Sequence, residues 1–148
     1  MKKSIKYLLI TAILLIVVVS AGALYMFYMP QRNIQGEKPS YTLDATQFVN
    51  EFLDNQQESN SKYLDRVIIL KGTVAGIDND QQNQKVIHLK TDKAGINCTF
   101  MNETNANTEN LDNGSVVKIK GVVRLGASYD NDMELYEYAI LEKCDLVK

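Results

Sequence analysis

The longest apolar run comes first. From Tyr7 to Tyr28 no charged residue interrupts a stretch broken only by Thr11, Ser20 and Gly22. At about 1.5 Å of rise per residue a helix over these positions spans about 33 Å, against a bilayer core of about 30 Å. The pattern predicts a transmembrane helix at 7–28. Lys2, Lys3 and Lys6 precede it, and basic residues stay on the cytoplasmic side, which makes 1–6 a cytoplasmic tail and everything after the helix extracytoplasmic. Tyr25, Phe27 and Tyr28 fall at the far end, where aromatic rings favour the membrane–water interface. The predicted location is therefore the cytoplasmic (inner) membrane, single-pass, with the N-terminus inside. A cleaved signal is the rival reading, because Ser20–Ala23 supplies small residues of the kind a signal peptidase accepts. It would release a soluble periplasmic protein, but the apolar run continues as LYMFYM past the candidate cut.

Beyond the helix the texture changes twice. Residues 29–40, MPQRNIQGEKPS, hold both prolines of the chain and read as a short linker. Ala45, Phe48, Val49, Phe52 and Leu53 then recur at helical spacing and predict one amphipathic helix from Leu43 to Ser59. Tyr63 and Leu64 lead into a first strand with Ile68, Leu70, Gly72, Val74 and Gly76 on one face and Ile69, Lys71, Thr73 and Ala75 on the other. Ile87 and Leu89 mark a second strand, and Ile96, Cys98 and Phe100 a third. Val117, Ile119, Gly121, Val123 and Leu125 mark the inner face of a fourth, with Lys118, Lys120 and Arg124 outward. Met133 to Leu146 reads as a fifth strand whose alternation slips between Leu141 and Cys144, the signature of a bulge.

One helix followed by five strands in 41–148, with the longest connection between strands three and four, predicts a mainly β protein built on a five-stranded OB-fold barrel. So small a barrel needs strongly bent strands, and glycines are a device for that. The KG steps Lys71-Gly72 and Lys120-Gly121 lie in the first and fourth strands, which pair in this fold. The repeat is therefore read as architectural rather than as a duplicated site.

Charge narrows the partners. Setting Lys2, Lys3 and Lys6 aside leaves thirteen of sixteen basic residues against eighteen acidic ones, a net −5 for the exported part. Phosphate backbones are held by basic faces, so nucleic acid is disfavoured as a ligand. Cys98 and Cys144 both lie in the exported part, where an even count permits a disulfide; two buried free thiols are the alternative.

The segments TQFVNEFLDNQQESNSKYLDRVIILKGTVAGI, VIHLK, INCTF, LDNGSVVKIKGVV and YAILEKCDLV, taken in order over residues 43–147, resemble the tRNA_anti-like family of bacterial exported OB-fold proteins. The most specific elements are Asn50-Glu51 in the leading helix, Tyr63, the G-x-V steps at Gly72 and Gly121, and Cys98 with Cys144. The resemblance implies an exported OB-fold domain. The family's members are largely without an assigned activity, many are proposed lipoproteins, and the family name reflects fold likeness to tRNA anticodon-binding domains. This chain departs from the pattern in having an apolar helix where a lipidation cysteine would stand, and a polar DNQQESN where alanines are commoner.

Candidate chemistry is sparse. His88, the one histidine, alternates outward from Ile87 and Leu89 and reads as a solvated or hydrogen-bonded surface residue. No nucleophile motif or phosphate-cradling loop is present, so the chain reads as not an enzyme, with no cofactor. DND occurs twice, at Asp78–Asp80 and Asp130–Asp132, in the connections that flank the usual OB-fold ligand face. Asp78, Asp80, Tyr129, Asp130, Asp132 and Tyr136 are the candidate ligand-binding residues. The four aspartates suggest a hard cation such as Ca²⁺ only weakly, because Asp and Asn are ordinary turn residues. The leading functional expectation is a membrane-anchored, non-catalytic binding module for a protein, peptide or envelope glycan. One membrane helix and an exported OB barrel also resemble the haem chaperone of cytochrome c maturation. That family attaches haem through a histidine near its C-terminus, and no histidine follows His88 here. Single-stranded nucleic-acid binding, with bases stacked on tyrosines, is a further alternative that the acidic charge opposes.

Overall fold

A computed structural model describes residues 2–28 and 32–148. Met1, and Met29, Pro30 and Gln31 of the predicted linker, lie outside the described residues. The chain divides into two units, residues 1–32 and 33–148.

In the first unit a single helix, α1 (Lys2–Phe27), takes in the predicted span and the lysines before it. It is long and apolar enough to cross a membrane. Its two hydroxyl interruptions are neutralised within the helix. Thr11 Oγ1 donates to Leu8 O at 2.9 Å and Ser20 Oγ to Ile16 O at 2.8 Å, so neither leaves an unpaired polar group in the apolar run.

The second unit begins with a short strand, β1 (Tyr41–Asp44), followed by α2 (Ala45–Asp54) and α3 (Gln56–Tyr63). The single helix expected over 43–59 is thus replaced by a strand and two helices. Its start is lost because Tyr41–Asp44 pairs in parallel with Ile68–Lys71. Its middle breaks at Asn55, which is extended (φ −150°, ψ 90°) and caps α3, its side chain accepting from Glu58 N at 3.2 Å while its amide donates to the Glu58 carboxylate at 3.1 Å. An N-x-x-E step of this kind is a helix start signal inside what periodicity alone reads as one helix. Tyr63, expected just before the first strand, is the last residue of α3 and fully buried.

The barrel is made by β2 (Val67–Asn79), β3 (Lys85–Lys90), β4 (Ile96–Phe100), β5 (Val116–Leu125) and β8 (Ala139–Leu146), with β6 (Ser128–Asp130) and β7 (Leu135–Glu137) forming a separate hairpin between β5 and β8. Pairing runs β2-β3-β4-β8-β5 and closes through β5 back to β2. This is the closed five-stranded OB barrel. The expected fifth strand from Met133 is shorter than predicted, because its first part is spent on the hairpin. The bulge expected between Leu141 and Cys144 is present: Cys98 faces Leu141 while Phe100 faces Cys144, so three residues of β8 span two of β4, and Lys143 takes φ +53°.

One core fills the barrel. Ile68, Leu70, Val74, Ile87, Leu89, Ile96, Phe100, Ile119 and Leu141 are all buried, as the alternation predicts, and Phe48, Phe52 and Tyr63 add an aromatic layer with centroids 5.0–5.8 Å apart. Leu125 is an exception, half exposed where the pattern had it inward, at the point where β5 leaves the barrel for the hairpin. A second, small cluster of Ile34, Val67 and Val122 lies apart from that core. Ile34 belongs to the stretch read as linker, yet it is buried. Gln35 Nε2 donates to Asp145 at 3.1 Å, Lys120 Nζ donates to Gln35 O at 3.2 Å, and Ser40 N bonds Val67 O. The packed unit therefore starts at Asn33 instead of residue 41.

Gly72 and Gly121 sit in the paired strands β2 and β5, opposite Val117 and Ile68. Close approach explains both. A Cβ at Gly72 would lie 3.0 Å from Ala45 Cβ and 3.3 Å from Leu89 Cδ1, and one at Gly121 would lie 2.7 Å from Cys144 Sγ.

Candidate ligand-binding face

Strands β3 and β4 turn one row of side chains inward, Ile87, Leu89, Ile96 and Cys98, and alternate them with half-buried Val86, His88, Asn97 and Thr99. The alternate row is the outer face that OB barrels use for ligands, with the β2–β3 turn at one side and the connection before the last strand at the other. His88 sits in the middle. Its Nε2 is 2.9 Å from Asp78 Oδ2 and its Nδ1 is 2.6 Å from Asn97 Oδ1, so both ring nitrogens face oxygen partners on neighbouring strands. The surface, hydrogen-bonded histidine inferred from alternation is what the structure contains.

The two DND segments do different things from one another. Asp78 partners His88, whereas Asp80 shapes the turn, its Oδ1 accepting from Gln82 N and Gln84 N, each at 2.8 Å. Asp130 does the equivalent in the hairpin, accepting from Asp132 N at 2.8 Å and Met133 N at 3.0 Å. Asp132 is exposed. The four aspartates are not drawn together: among the described residues no group of three or more His, Cys, Asp or Glu side chains is placed to hold a metal ion. The weak cation expectation for Asp78, Asp80, Asp130 and Asp132 gives way to separate roles: Asp80 and Asp130 accept from the backbone of their own loops, Asp78 partners His88, and the Asp132 carboxylate stands in solvent. Tyr129 and Tyr136 do meet, as a cross-strand pair with ring centroids 4.9 Å apart.

Two features escaped sequence reasoning. A cleft of about 300 Å³ is lined by Gly76, His88, Lys90, Lys93, Gly95 and Tyr138 among others. Tyr138 lies flat on Gly95, where a Cβ would come within 2.9 Å of the ring. The other is the hairpin's root at Gly126, where a Cβ would overlap the ring of Phe52. Neither glycine stands out by position in the sequence, since what each accommodates is a ring from a distant segment.

Away from this face, Glu51, Lys62 and Tyr63 lock α2 to α3. The Tyr63 hydroxyl donates to Glu51 Oε2 at 2.5 Å and Lys62 Nζ to the same oxygen at 2.9 Å. Lys62 also lies over the Tyr63 and Tyr41 rings, 4.7 and 5.3 Å from their centroids. The Tyr63 hydrogen bond, aided by Lys62 and Gln47, holds the Glu51 carboxyl below the usual glutamate range, while burial followed by the Glu51 contact pushes the Tyr63 phenol up. This triad gives Glu51 and Tyr63, singled out by resemblance, a structural reason.

Cys98 and Cys144 are both fully buried free thiols on the adjacent strands β4 and β8. Burial, then the hydrogen bond its own S–H makes to the Cys98 sulfur, pushes the Cys144 thiol up.

A family model described as tRNA_anti-like matches residues 1–133, which takes in α1 and most of the barrel. The chain belongs to the tRNA_anti-like family. Among solved structures, this tRNA_anti-like chain is similar to a lipoprotein of Klebsiella pneumoniae subsp. pneumoniae with a proposed nucleic acid-binding role, at 23% identity and a TM-score of 0.55, covering 72% of this chain and 91% of that one. The S. pombe Stn1-Ten1 complex matches at 15% identity, TM-score 0.38, over 55% of this chain and 58% of the other. An aspartyl tRNA synthetase from Entamoeba histolytica matches at 11% identity, TM-score 0.45; the aligned part is 81% of this chain but only 24% of the synthetase. At 23% identity the likeness to the Klebsiella lipoprotein shows the fold alone. No curated protein matches the tRNA_anti-like chain.

Proposed function

We propose that this chain is a membrane-anchored, non-catalytic OB-fold binding module. In this reading residues 7–28 cross the cytoplasmic membrane, 1–6 stay inside, and the OB domain faces the periplasm or cell exterior, where it contacts a protein, peptide or envelope glycan. The observation that carries the reading is the outer β3–β4 face, bounded by the 80–84 turn and the β6–β7 hairpin. The hairpin presents the Tyr129–Tyr136 pair, 44% and 38% exposed. A non-catalytic role is supported by His88, whose two ring nitrogens are engaged by Asp78 and Asn97 and not by a nucleophile. The test is photo-cross-linking in cells with the reactive residue at Thr99 on the face or Tyr136 on the hairpin, and at Lys120 as a control. Envelope-partner adducts from the first two positions and not from Lys120 support the reading. A purified protein that turns over a substrate, with no adduct from any position, refutes it.

A second reading, single-stranded nucleic acid, has one specific observation in its favour. Lys90, Lys93 and the half-exposed Tyr138 line the same cleft, the combination of cation and aromatic platform that stacks bases. The similar Klebsiella lipoprotein carries a proposed nucleic acid-binding role. Fluorescence anisotropy with a single-stranded oligonucleotide at two ionic strengths decides it: tight binding that falls steeply with salt favours this reading, and none is expected under the first.

A further inference from the structure

We propose that the β6–β7 hairpin is a docking arm for a basic protein segment that alternates lysine or arginine with apolar side chains. This rests on the binding-module reading and names the partner's chemistry at one edge of the same site.

The argument begins with where exposed apolar surface lies. Eight large hydrophobic side chains are exposed among the described residues of the 33–148 unit, and five of them, Tyr129, Met133, Leu135, Tyr136 and Tyr138, fall within ten residues of one another. Single exposed apolar residues are ordinary; a contiguous set on one element marks an interaction surface. Among the described residues the arm's two strands pair with each other, Tyr129 opposite Tyr136 and Asp130 opposite Leu135, and with no strand of the barrel sheet. An isolated two-stranded hairpin is marginal in water. This one is held at both roots, by Gly126 under the Phe52 ring and by Tyr138 on Gly95, with Ala127 fully buried between arm and core. The arm is therefore a rigidly presented surface.

Charge selects the occupant. Asp130, Asp132, Glu134 and Glu137 lie in the arm, and no lysine or arginine occurs from Gly126 to Ala139. The arm thus carries four of the five net negative charges of the exported part. A polyanion or an anionic lipid surface is repelled from it, and a second copy would bring four carboxylates against four. A basic segment gains on each count. Its cations meet the exposed carboxylates of Asp132 and Glu134 and the tyrosine faces, and its alternate apolar side chains cover the face that carries the Tyr129–Tyr136 pair, with Met133 at the turn. Alternation suits an extended peptide laid along a hairpin, because strand side chains face opposite ways with period two.

The experiment uses the full chain in nanodiscs of zwitterionic lipid. The probe is a fluorescent octapeptide alternating Arg and Val, with a Glu-Val octapeptide as its counterpart. Tyr129→Ser/Tyr136→Ser and Asp132→Asn/Glu134→Gln remove the apolar and the acidic halves of the arm; Lys90→Glu/Lys93→Glu alters the neighbouring cleft. Circular dichroism confirms that each variant is folded. Saturable binding of the basic peptide, weakened about tenfold or more by each arm variant and not by the lysine variant, is the expected result. The proposal is overturned by no saturation below about 1 mM, by equal binding of the acidic peptide, or by folded arm variants that bind as well as the parent. A concentration-dependent dimer abolished by Tyr129→Ser/Tyr136→Ser overturns it in favour of a second copy. In the cellular cross-linking, adducts from Thr99 but not Tyr136 overturn the arm while the module reading stands. Adducts from neither position remove both.

Discussion

Gly126→Ala should be among the most disruptive one-methyl changes available in this domain. A Cβ built at Gly126 overlaps the Phe52 ring at three carbons, whereas the same methyl at Gly76 meets only His88 Cδ2 at an ordinary 3.5 Å and at Gly114 meets nothing. Phe52 cannot simply step aside, being 1% exposed and packed edge-on against Phe48 at 5.0 Å and tilted against Tyr63 at 5.8 Å. Inserting a methyl into such a site costs about 1–3 kcal/mol in strain. The alanine recovers up to about 1 kcal/mol through the unfolded chain, the usual Gly→Ala gain where the backbone tolerates it. The net expectation is a destabilisation of about 1–2 kcal/mol, or about 3–10 °C in Tm for a unit of this size. Gly76→Ala should be near neutral. Gly114→Ala should cost about 1 kcal/mol for a different reason, its backbone φ of +90°. Thermal unfolding followed by circular dichroism measures all three. The decisive control is Phe52→Leu, which opens the space: in the double variant the two effects should be coupled by more than about 0.5 kcal/mol in the direction of rescue. A Gly126→Ala protein as stable as the parent, or a double variant showing simple additivity, would refute the account of the hairpin's root.

Other expectations are briefer. Gly72→Val should lower stability by about 1–3 kcal/mol, since Ala45 and Leu89 already crowd that position; an unchanged melting curve removes its assigned role. Glu51 has a folded-state pKa below its unfolded one, so its contribution is complete above the unfolded value and drains as pH falls through the depressed folded value. Glu51→Gln should accordingly flatten the loss of stability below about pH 4.5, and an acid limb identical to the parent's would sink this. Cys98 and Cys144, free thiols in the structure but close enough to hydrogen-bond, should oxidise to a disulfide if the domain matures in an oxidising compartment, stabilising by up to about 4 kcal/mol for the loop they close. Intact mass should then be lower by two hydrogens than after reduction, and free thiols in that material exclude the bond. Alkaline phosphatase fused after Lys148 should be active in cells if the domain is exported, and inactivity with a fluorescent cytoplasmic fusion reverses the topology.

How much was legible follows from the range of each signal. Period two exposed the barrel strands because each buries one face, so Ile68, Leu70, Ile87, Leu89, Ile96 and Ile119 identify their strands without a neighbour's help. The bulge before Cys144 was visible for the same reason, as a slip in that period. The helix break at Asn55 is a local signal too, an N-x-x-E cap, and was overridden by a stronger periodicity that runs across it. Nothing local marks Tyr41–Asp44 as a strand, since its only partner is Ile68–Lys71. Ile34, Gly95 and Gly126 were opaque in the same way: their roles are set by Val122, Tyr138 and Phe52. At the candidate site, residue types were correct and their grouping was not. Tyr129 does face Tyr136, but the paired DND segments turned out to be two independent turns.

That grouping bears on what the domain can bind, because charge is unevenly distributed around one face. The hairpin side holds the acids and the exposed apolar residues, while Lys90 and Lys93 line the cleft beside Tyr138, which is also the hairpin's last aromatic. A uniformly acidic domain would repel every polyanion equally, and net charge alone implies that conclusion. The hairpin and the cleft carry opposite signs at two edges of the candidate face. A ligand that spans it meets carboxylates at one edge and ammonium groups at the other. A polypeptide of mixed charge satisfies both edges, a basic segment the arm alone, and a nucleic acid only the cleft. Sensitivity to the two sets of substitutions therefore discriminates the ligand classes more sharply than affinity does. A peptide partner should respond to Asp132→Asn/Glu134→Gln, whereas an oligonucleotide should bind that variant more tightly and lose binding to Lys90→Glu/Lys93→Glu.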